Sequence, residues 1–399
     1  MKFIKLICVI LIFSLIAGCA FHTSAPTPTT SPAPTLGPLP TPVASPTTAP
    51  TLPPLPTPAP QCGAKAKPVT QVEANYAVIK VFYATDRKKT DATKPSQVFS
   101  SGRGVLTYGI CEVSIPRHHI IGELEAPSIW RLEFREDTEK HVVLLSVVPK
   151  EKGEYFSDVA KRVKESSGKK LFIFVHGYKV TFKDAARRTA QMSYDLGFDG
   201  APVFYSWPSQ GNLGGYLEDE TNIEWTENHL IDFISDVVER TDAENIYLIA
   251  HSMGNRAMTR ALGEFISKKP ELRKRFREII LTAPDIDADV FKNKIAPQII
   301  GVTSITLYAS SKDKALIFSK KIHGYPRVGD TSDGIVLIPG IDTIDATNVD
   351  TSFIGHLYFA ERRSVLSDIY QLLEGKRPKQ RFGLMEVITP SGNYWMFKE

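Results

Sequence analysis

The run Asn245-Ile246-Tyr247-Leu248-Ile249-Ala250-His251-Ser252-Met253-Gly254 is apolar and strand-like until it breaks at a serine, with a small residue two places before Ser252 and another two places after it. A helix-like pattern follows at once. The spacing has a physical cause. A serine on a tight strand-to-helix turn forces the residues two before and two after it together, so both must be small. Such a turn lifts the hydroxyl out of the sheet and points the next amide, that of Met253, toward the place where negative charge would develop on a bound acyl group. This is the Gly-x-Ser-x-Gly nucleophile elbow, with Ala250 in the first glycine's place.

Short patterns of this kind arise by chance, so the surroundings matter. Leu171 to Val175, Pro202 to Trp207, Asn245 to Ala250, Glu278 to Ala283 and Thr303 to Ala309 are short apolar runs. Strands apolar throughout are buried on both faces, as in a parallel sheet covered by helices. Helical patterns lie between them. Thr181 with Asp184 opens one that reaches about Leu196. Glu224 to Arg240 places Leu230, Ile234 and Val237 on one stripe. Met253 to Lys269 gathers Ala257, Ala261, Leu262 and Phe265 and stops before Pro270. A last strand is expected near Asp342 to Ala346, followed by a helical pattern from His356 to about Leu373. Val78 to Tyr83, Gly104 to Ile115 and His141 to Val148 alternate or are broken by turns, and predict an antiparallel N-terminal portion. The fold class expected is α/β, a mostly parallel central sheet flanked by helices, forming one domain over residues 71–399.

The first 70 of the 399 residues are of another kind. Lys2 and Lys5 precede an apolar stretch from Leu6 to Ile16, too short to span a bilayer and right for a secretory signal over residues 1–18. Ile16-Ala17-Gly18-Cys19 resembles a bacterial lipobox, which implies cleavage before Cys19 and acylation of that cysteine. Ala20 in place of an aspartate implies the outer membrane. An ordinary signal with a chance cysteine is the plainer alternative. Fourteen of the 28 prolines fall between Pro26 and Pro60 among Thr, Ser and Ala. Such a segment cannot bury apolar surface, so residues 19–70 are expected to be a disordered tether, reaching on the order of 100 Å when extended.

Composition excludes some partners. The formal charge of +4 falls to +2 without Lys2 and Lys5 (4 − 2 = 2), and no basic stripe with interleaved aromatics occurs, which argues against nucleic acid. Of four cysteines, Cys62 and Cys111 would remain in a compartment that permits disulfides. A bridge there would contribute about 4 kcal/mol by loop entropy. Two separate buried thiols are the alternative. No Cys-x-x-Cys motif is present, and His118 and His119, being adjacent, face opposite ways on a strand, so no metal is assigned. No cofactor is expected.

A serine hydroxyl needs a base. Only His323 and His356 of the nine histidines follow Ser252. His356, ahead of the last helical pattern, is the better placed; His323 lies in a basic loop. The base needs an acid to orient it. Asp313 follows the second strand after the elbow strand, and Asp285, Asp287 and Asp289 form a rival cluster. Phe174-Val175-His176-Gly177-Tyr178 ends the first buried strand, where the amide of Tyr178 or Gly177 is suited to complete an oxyanion hole with Met253. The loop from Tyr205 to Gly214 can shape a pocket or carry a small lid, and an irregular surface loop is the equal alternative.

Val81-Phe82-Tyr83-Ala84-Thr85-Asp86-Arg87, Tyr108-Gly109 with Ser114-Ile115-Pro116-Arg117, and the His176-Gly177 run, together with Ala250-His251-Ser252-Met253-Gly254-Asn255-Arg256, Leu307-Tyr308-Ala309-Ser310-Ser311-Lys312-Asp313 and Gly355-His356-Leu357-Tyr358-Phe359, resemble a bacterial α/β-hydrolase family of uncharacterised esterase/lipase-superfamily proteins. The resemblance runs from about residue 76 to 373. It implies the α/β-hydrolase fold and a Ser252-Asp313-His356 triad, and no established substrate. The proline tether and the lipid anchor lie outside the family pattern. The expectation is an envelope serine hydrolase acting on small-molecule or lipid esters and held to the membrane through Cys19. Its rival from another class is an inactive hydrolase-fold lipoprotein serving as a binding or scaffolding module.

Overall fold

The computed structural model describes residues 72–73, 75–349 and 362–398. The signal, Cys19, the proline-rich segment, Cys62 and His356 all lie outside them. Strand β1 is Val72–Glu73, β2 Tyr76–Lys89, β3 Phe99–Pro116 and β4 Val143–Lys150. Helix α1 spans Lys152–Glu165, β5 Lys170–Val175, α2 Phe182–Asp195, β6 Ala201–Ser206, α3 Tyr216–Arg240, β7 Asn245–His251 and α4 Gly254–Lys268. Then come β8 Phe276–Thr282, short helical turns between Ala288 and Ile299, β9 Ser304–Ala309, α5 Lys314–His323, β10 Asp342–Asp345, α6 Arg363–Leu373, β11 Leu384–Thr389 and β12 Gly392–Phe397.

One sheet takes the order β11-β12-β10-β9-β8-β7-β5-β6-β2-β3-β4, with β1 beside β2. From β2 through β6, β5, β7, β8, β9 and β10 to β12 every neighbouring pair is parallel. The strands β2, β3 and β4 pair antiparallel, as the alternating N-terminal pattern predicts. The elbow strand β7 lies between β5 and β8. Its side chains divide between two cores. Ile246, Leu248 and Ala250 enter one with α1, α3 and α4 residues such as Phe156, Phe233 and Leu262. Tyr247 and Ile249 enter the other with Ala190 of α2, Leu316 of α5 and Ile369 of α6. Period-2 alternation with both faces apolar is why these strands read as unbroken hydrophobic runs.

Three features differ from the sequence reading. Helix α1 follows β4, with Tyr155, Phe156, Val159 and Val163 buried on one side. Helix α3 starts at Tyr216, eight residues before Glu224; its first turns bury Asp219, Asn222 and Thr226, polar residues that break the apolar stripe. Helix α6 begins at Arg363 behind an extended Arg362, and His356, where the sequence pattern opens, lies outside the described residues. Asp342–Asp345 is not the last strand, because the antiparallel hairpin β11/β12 follows and β12 pairs parallel with β10. Only one face of that edge hairpin is packed, so its pattern is weaker than that of the central strands.

Candidate active site

Ser252 stands between β7 and α4 with φ +52°, the left-handed region that side-chain-bearing residues avoid. Strain of this kind costs about 1–3 kcal/mol and persists only where neighbours enforce it. They do so here. The Ser252 amide donates to the Thr282 carbonyl of β8 at 3.0 Å, and its carbonyl accepts from the Asn255 amide at 3.1 Å and the Asp285 amide at 3.2 Å. The Asn255 side-chain Nδ2 donates to the Ser252 and Thr282 carbonyls at 3.0 and 3.2 Å. The turn leaves no room for side chains beside it. A Cβ on Gly254 would meet the Val175 carbonyl oxygen at 2.7 Å, and one on Gly177 would lie 2.8 Å from the Ser252 Cβ. Ala250, at 0% exposure, occupies the remaining small position without strain on φ.

That second glycine brings the His176-Gly177-Tyr178 loop against the serine. Among the described residues neither the Met253 nor the Tyr178 amide finds an acceptor. Two unpaired amides flanking a hydroxyl are what an oxyanion hole requires. A relay holds the loop. The His176 Nδ1–H donates to the Gly177 carbonyl at 2.9 Å, which leaves Nε2 to accept from Ser206 Oγ at 3.1 Å. Ser206 Oγ in turn accepts from Arg87 Nε at 2.8 Å. Burial, then the neighbouring Arg87 charge, push His176 well below its ordinary pKa, so the imidazole is neutral, as this tautomer demands. Trp207 stacks on the ring at 5.1 Å and donates its indole N–H to the His176 carbonyl at 2.6 Å.

Arg87 is buried, and among the described residues no carboxylate forms an ion pair with it. Its guanidinium donates to the carbonyls of Ser209 at 2.9 Å and Val180 at 2.7 Å, and burial lowers its pKa to about 10 against the pull of Asp86, Asp219 and Asp184. Asp219, on the first turn of α3, accepts Ser209 Oγ at 2.6 Å, the Gln210 amide at 2.7 Å and the Lys179 amide at 3.4 Å. Burial raises its pKa despite those bonds. Arg87 and Asp219 thus tie the loops after β5 and β6 into one rim. Sequence reasoning assigns no role to Arg87 or Trp207; an arginine inside an apolar strand motif is the available signal. Asp219 left none. The 205–214 loop therefore forms a braced wall beside the serine.

The acid candidates separate. Asp313 is buried at the N-cap of α5, where its Oδ1 accepts the Ala315 and Leu316 amides, each at 3.1 Å. Its loop is fixed by the Ser310 amide on the Gly329 carbonyl and the Ser311 amide on Thr347 Oγ1, both at 3.0 Å. Asp285 is occupied differently. It accepts Tyr216 OH and Ser319 Oγ at 2.6 Å each and ion-pairs with Arg256 at 3.1 Å and Arg327 at 3.5 Å. Burial alone would raise its pKa; the two guanidinium groups and the hydroxyls override this and lower it. Asp287 caps the turn at Ala288, and Asp289 is exposed. His323 Nε2 meets Glu220 at 2.6 Å and its Nδ1–H donates to the Ser319 carbonyl at 2.7 Å, so both ring nitrogens are engaged in the Arg256–Asp285 network. His356 lies outside the described residues. His251 is buried, its Nδ1 facing Gly177.

Elsewhere, Cys111 is a free, fully buried thiol whose pKa burial raises, while Cys62 is outside the described residues. His119 binds Glu125 and Asp195 at 2.8 Å each. Among the described residues no group of three or more His, Cys, Asp or Glu side chains is placed to hold a metal ion.

A mostly parallel sheet with helices on both faces, a strained serine at the end of its central strand and unpaired amides beside it define an α/β hydrolase. The family described as alpha/beta hydrolase of unknown function (DUF900) matches residues 151–377, more than half of the chain, and the chain belongs to it. No curated protein matches the sequence. Solved structures are similar at low identity. A CIB-like hydrolase from Thermoplasma acidophilum is 15% identical over 53% of this chain and 88% of its own, with a TM-score of 0.32. The carboxylesterase CesB from Bacillus subtilis is 11% identical over 57% and 100%, at 0.30. Aspergillus fumigatus lipase B is 19% identical over 36% of this chain and only 38% of that one, at 0.23. Scores this low add nothing to the family assignment.

Proposed function

We propose that this protein is an envelope serine hydrolase of carboxylic esters, with Ser252, Asp313 and His356 as its triad and Cys19 as its lipid attachment site. The observation that carries the reading is the strained Ser252 backbone, pressed between Gly177 and Gly254 with two unpaired amides next to it. In the reaction Ser252 Oγ attacks the acyl carbon while His356 takes its proton. The oxyanion gathers at the Met253 and Tyr178 or Gly177 amides. The tetrahedral adduct expels the alcohol, which leaves with the proton from His356, and an acyl-enzyme remains. Water, deprotonated by the same imidazole, then releases the acid. Asp313 would orient His356 and stabilise its charged form. His323 is a poorer base because Glu220 and the Ser319 carbonyl already engage its ring. Amide and thioester substrates use the same groups; the ester reading follows from their prevalence in this fold.

A fluorophosphonate probe tests this directly. The wild type is expected to be labelled and to turn over short acyl esters. Ser252→Ala and His356→Ala should abolish both, while His323→Ala keeps them. Turnover retained in Ser252→Ala removes the proposal.

A further inference from the structure

The Gly177–Tyr178 peptide is one plane, in which the carbonyl and the N–H point opposite ways. Its carbonyl accepts from the His176 ring, 2.9 Å from Nδ1. The Tyr178 N–H is therefore turned away from that ring, and among the described residues it meets no acceptor. Gly177 itself lies against the serine turn, since a Cβ there would come within 2.8 Å of both the Ser252 Cβ and His251 Nδ1. One hydrogen bond thus sets which way an amide beside Ser252 faces. It exists only while Nδ1, and not Nε2, carries the proton of the neutral imidazole.

That tautomer is imposed from β2. Arg87 Nη2, which can only donate, stands 3.4 Å from His176 Nε2. Arg87 Nε fills a lone pair of Ser206 Oγ at 2.8 Å, so the serine proton goes to Nε2 at 3.1 Å. A proton on Nε2 would face both donors. The same guanidinium holds the far end of the loop. Lys179 has φ +63°, a conformation its side chain disfavours. Arg87 Nη2 clasps the Val180 carbonyl at 2.7 Å, while the Val180 amide donates to Ser209 Oγ at 3.2 Å and the Lys179 amide to Asp219 at 3.4 Å. All these partners lie outside the loop, so its strained shape is enforced by its neighbours. We propose that Arg87 is a positioning residue of the oxyanion hole: by keeping His176 Nε2 an acceptor and holding Val180, it aims the Tyr178 N–H at the charge that forms on the acyl oxygen. Arg87 acts through His176 and touches no reacting atom. The inference rests on Ser252 being the nucleophile. It goes beyond that reading by choosing the Tyr178 amide over that of Gly177 and by giving a strand that carries no triad member a part in turnover.

Nitrogen NMR of the imidazoles in the full chain comes first, because it needs no turnover. His176, identified as the signal missing from His176→Asn, should carry its proton on Nδ1 at neutral pH. A proton on Nε2 overturns the inference whatever the protein catalyses. Kinetics on a short acyl ester, with thermal unfolding as the check on folding, come second. His176→Asn keeps an N–H donor in the place of Nδ1 and should hold kcat within about tenfold of the wild type, whereas His176→Leu fills the space without a donor and should lose about 10²-fold in kcat at little-changed KM. Arg87→Lys cannot serve Ser206 and Val180 together from one ammonium, and should lose about tenfold or more in kcat, again with KM nearly constant. Where Arg87→Lys does not fold, Arg87→Gln, with a shorter uncharged amide, takes its place and the same loss is expected. Equal turnover in His176→Asn and His176→Leu overturns the inference. So does a folded Arg87 variant with wild-type kcat, or a loss that sits in KM. A wild type that neither turns over ester nor takes a fluorophosphonate label removes the nucleophile reading and the oxyanion role with it; an active wild type with indifferent His176 and Arg87 variants sinks the inference alone.

Discussion

Asp285 and Asp313 sit at the ends of adjacent strands' loops, both buried, and the sequence offers them as rivals for one role. Their surroundings differ in kind. Asp285 faces two guanidinium groups and two hydroxyls, and Asp313 caps a helix through two amides. A carboxylate already neutralised by two buried arginines has little left to offer an imidazolium, because its charge is spent on holding Arg256 and Arg327 in the interior. Helix amides stabilise a carboxylate without neutralising it, so a capping carboxylate can also serve a cation that forms during a reaction. Identity and burial alone do not tell a structural acid from a catalytic one; two permanent counter-charges mark Asp285 as structural.

The largest effect that can break this contrast is kinetic. Asp313→Asn should lower kcat by about 10⁴-fold while leaving folding intact, since asparagine caps a helix as well as aspartate. Ester turnover together with thermal unfolding measures both. A variant that loses less than tenfold in kcat would return the acid's role to the Asp285 cluster.

Asp285→Asn should do the reverse. Removing the charge leaves Arg327 buried beside a neutral amide and Arg256 with Glu220 alone, a loss of about 3–5 kcal/mol by the usual behaviour of broken buried pairs. Unfolding should come roughly 10 °C earlier, with kcat per folded molecule changed little. The pH dependence gives a second check. The folded-state pKa of Asp285 is lowered, so its contribution is full above the unfolded aspartate value, about 4, and is lost as pH falls through the lower folded value. The gap between wild type and variant should therefore close in acid. A gap that stays constant down to about pH 2 would show that charge is not its source.

How far the sequence alone carries such distinctions depends on the kind of signal. Fully apolar strands flanked by amphipathic helices announce a parallel sheet, and the small-Ser-small spacing at 250, 252 and 254 announces the elbow, because both follow from local sterics. The start of α3 was hidden because Asp219, Asn222 and Thr226 are buried by polar contacts to distant loops. The edge hairpin β11/β12 was missed because half of its residues face water. Arg87 braces Val180 and Ser209, which lie 93 and 122 residues away. No pattern within a window of sequence can report a hydrogen bond of that reach, and the same limit left Asp285 and Asp313 unresolved.

The smallest effect calibrates the contrast. Asp313 caps α5 and is proposed to serve catalysis as well, so its removal mixes two losses. Thr181 caps α2 with its Oγ1 accepting the Asp184 amide at 3.2 Å and donating to the Asp184 carboxylate at 2.6 Å. Thr181→Ala should cost about 1 kcal/mol, read as a small drop in the denaturant midpoint at constant slope. Asp313→Ala should lose stability by a comparable amount, since it too deletes one cap, while its kcat falls far beyond anything Thr181→Ala produces. If the two alanine variants matched in turnover as well as in stability, Asp313 would be a helix cap and nothing more.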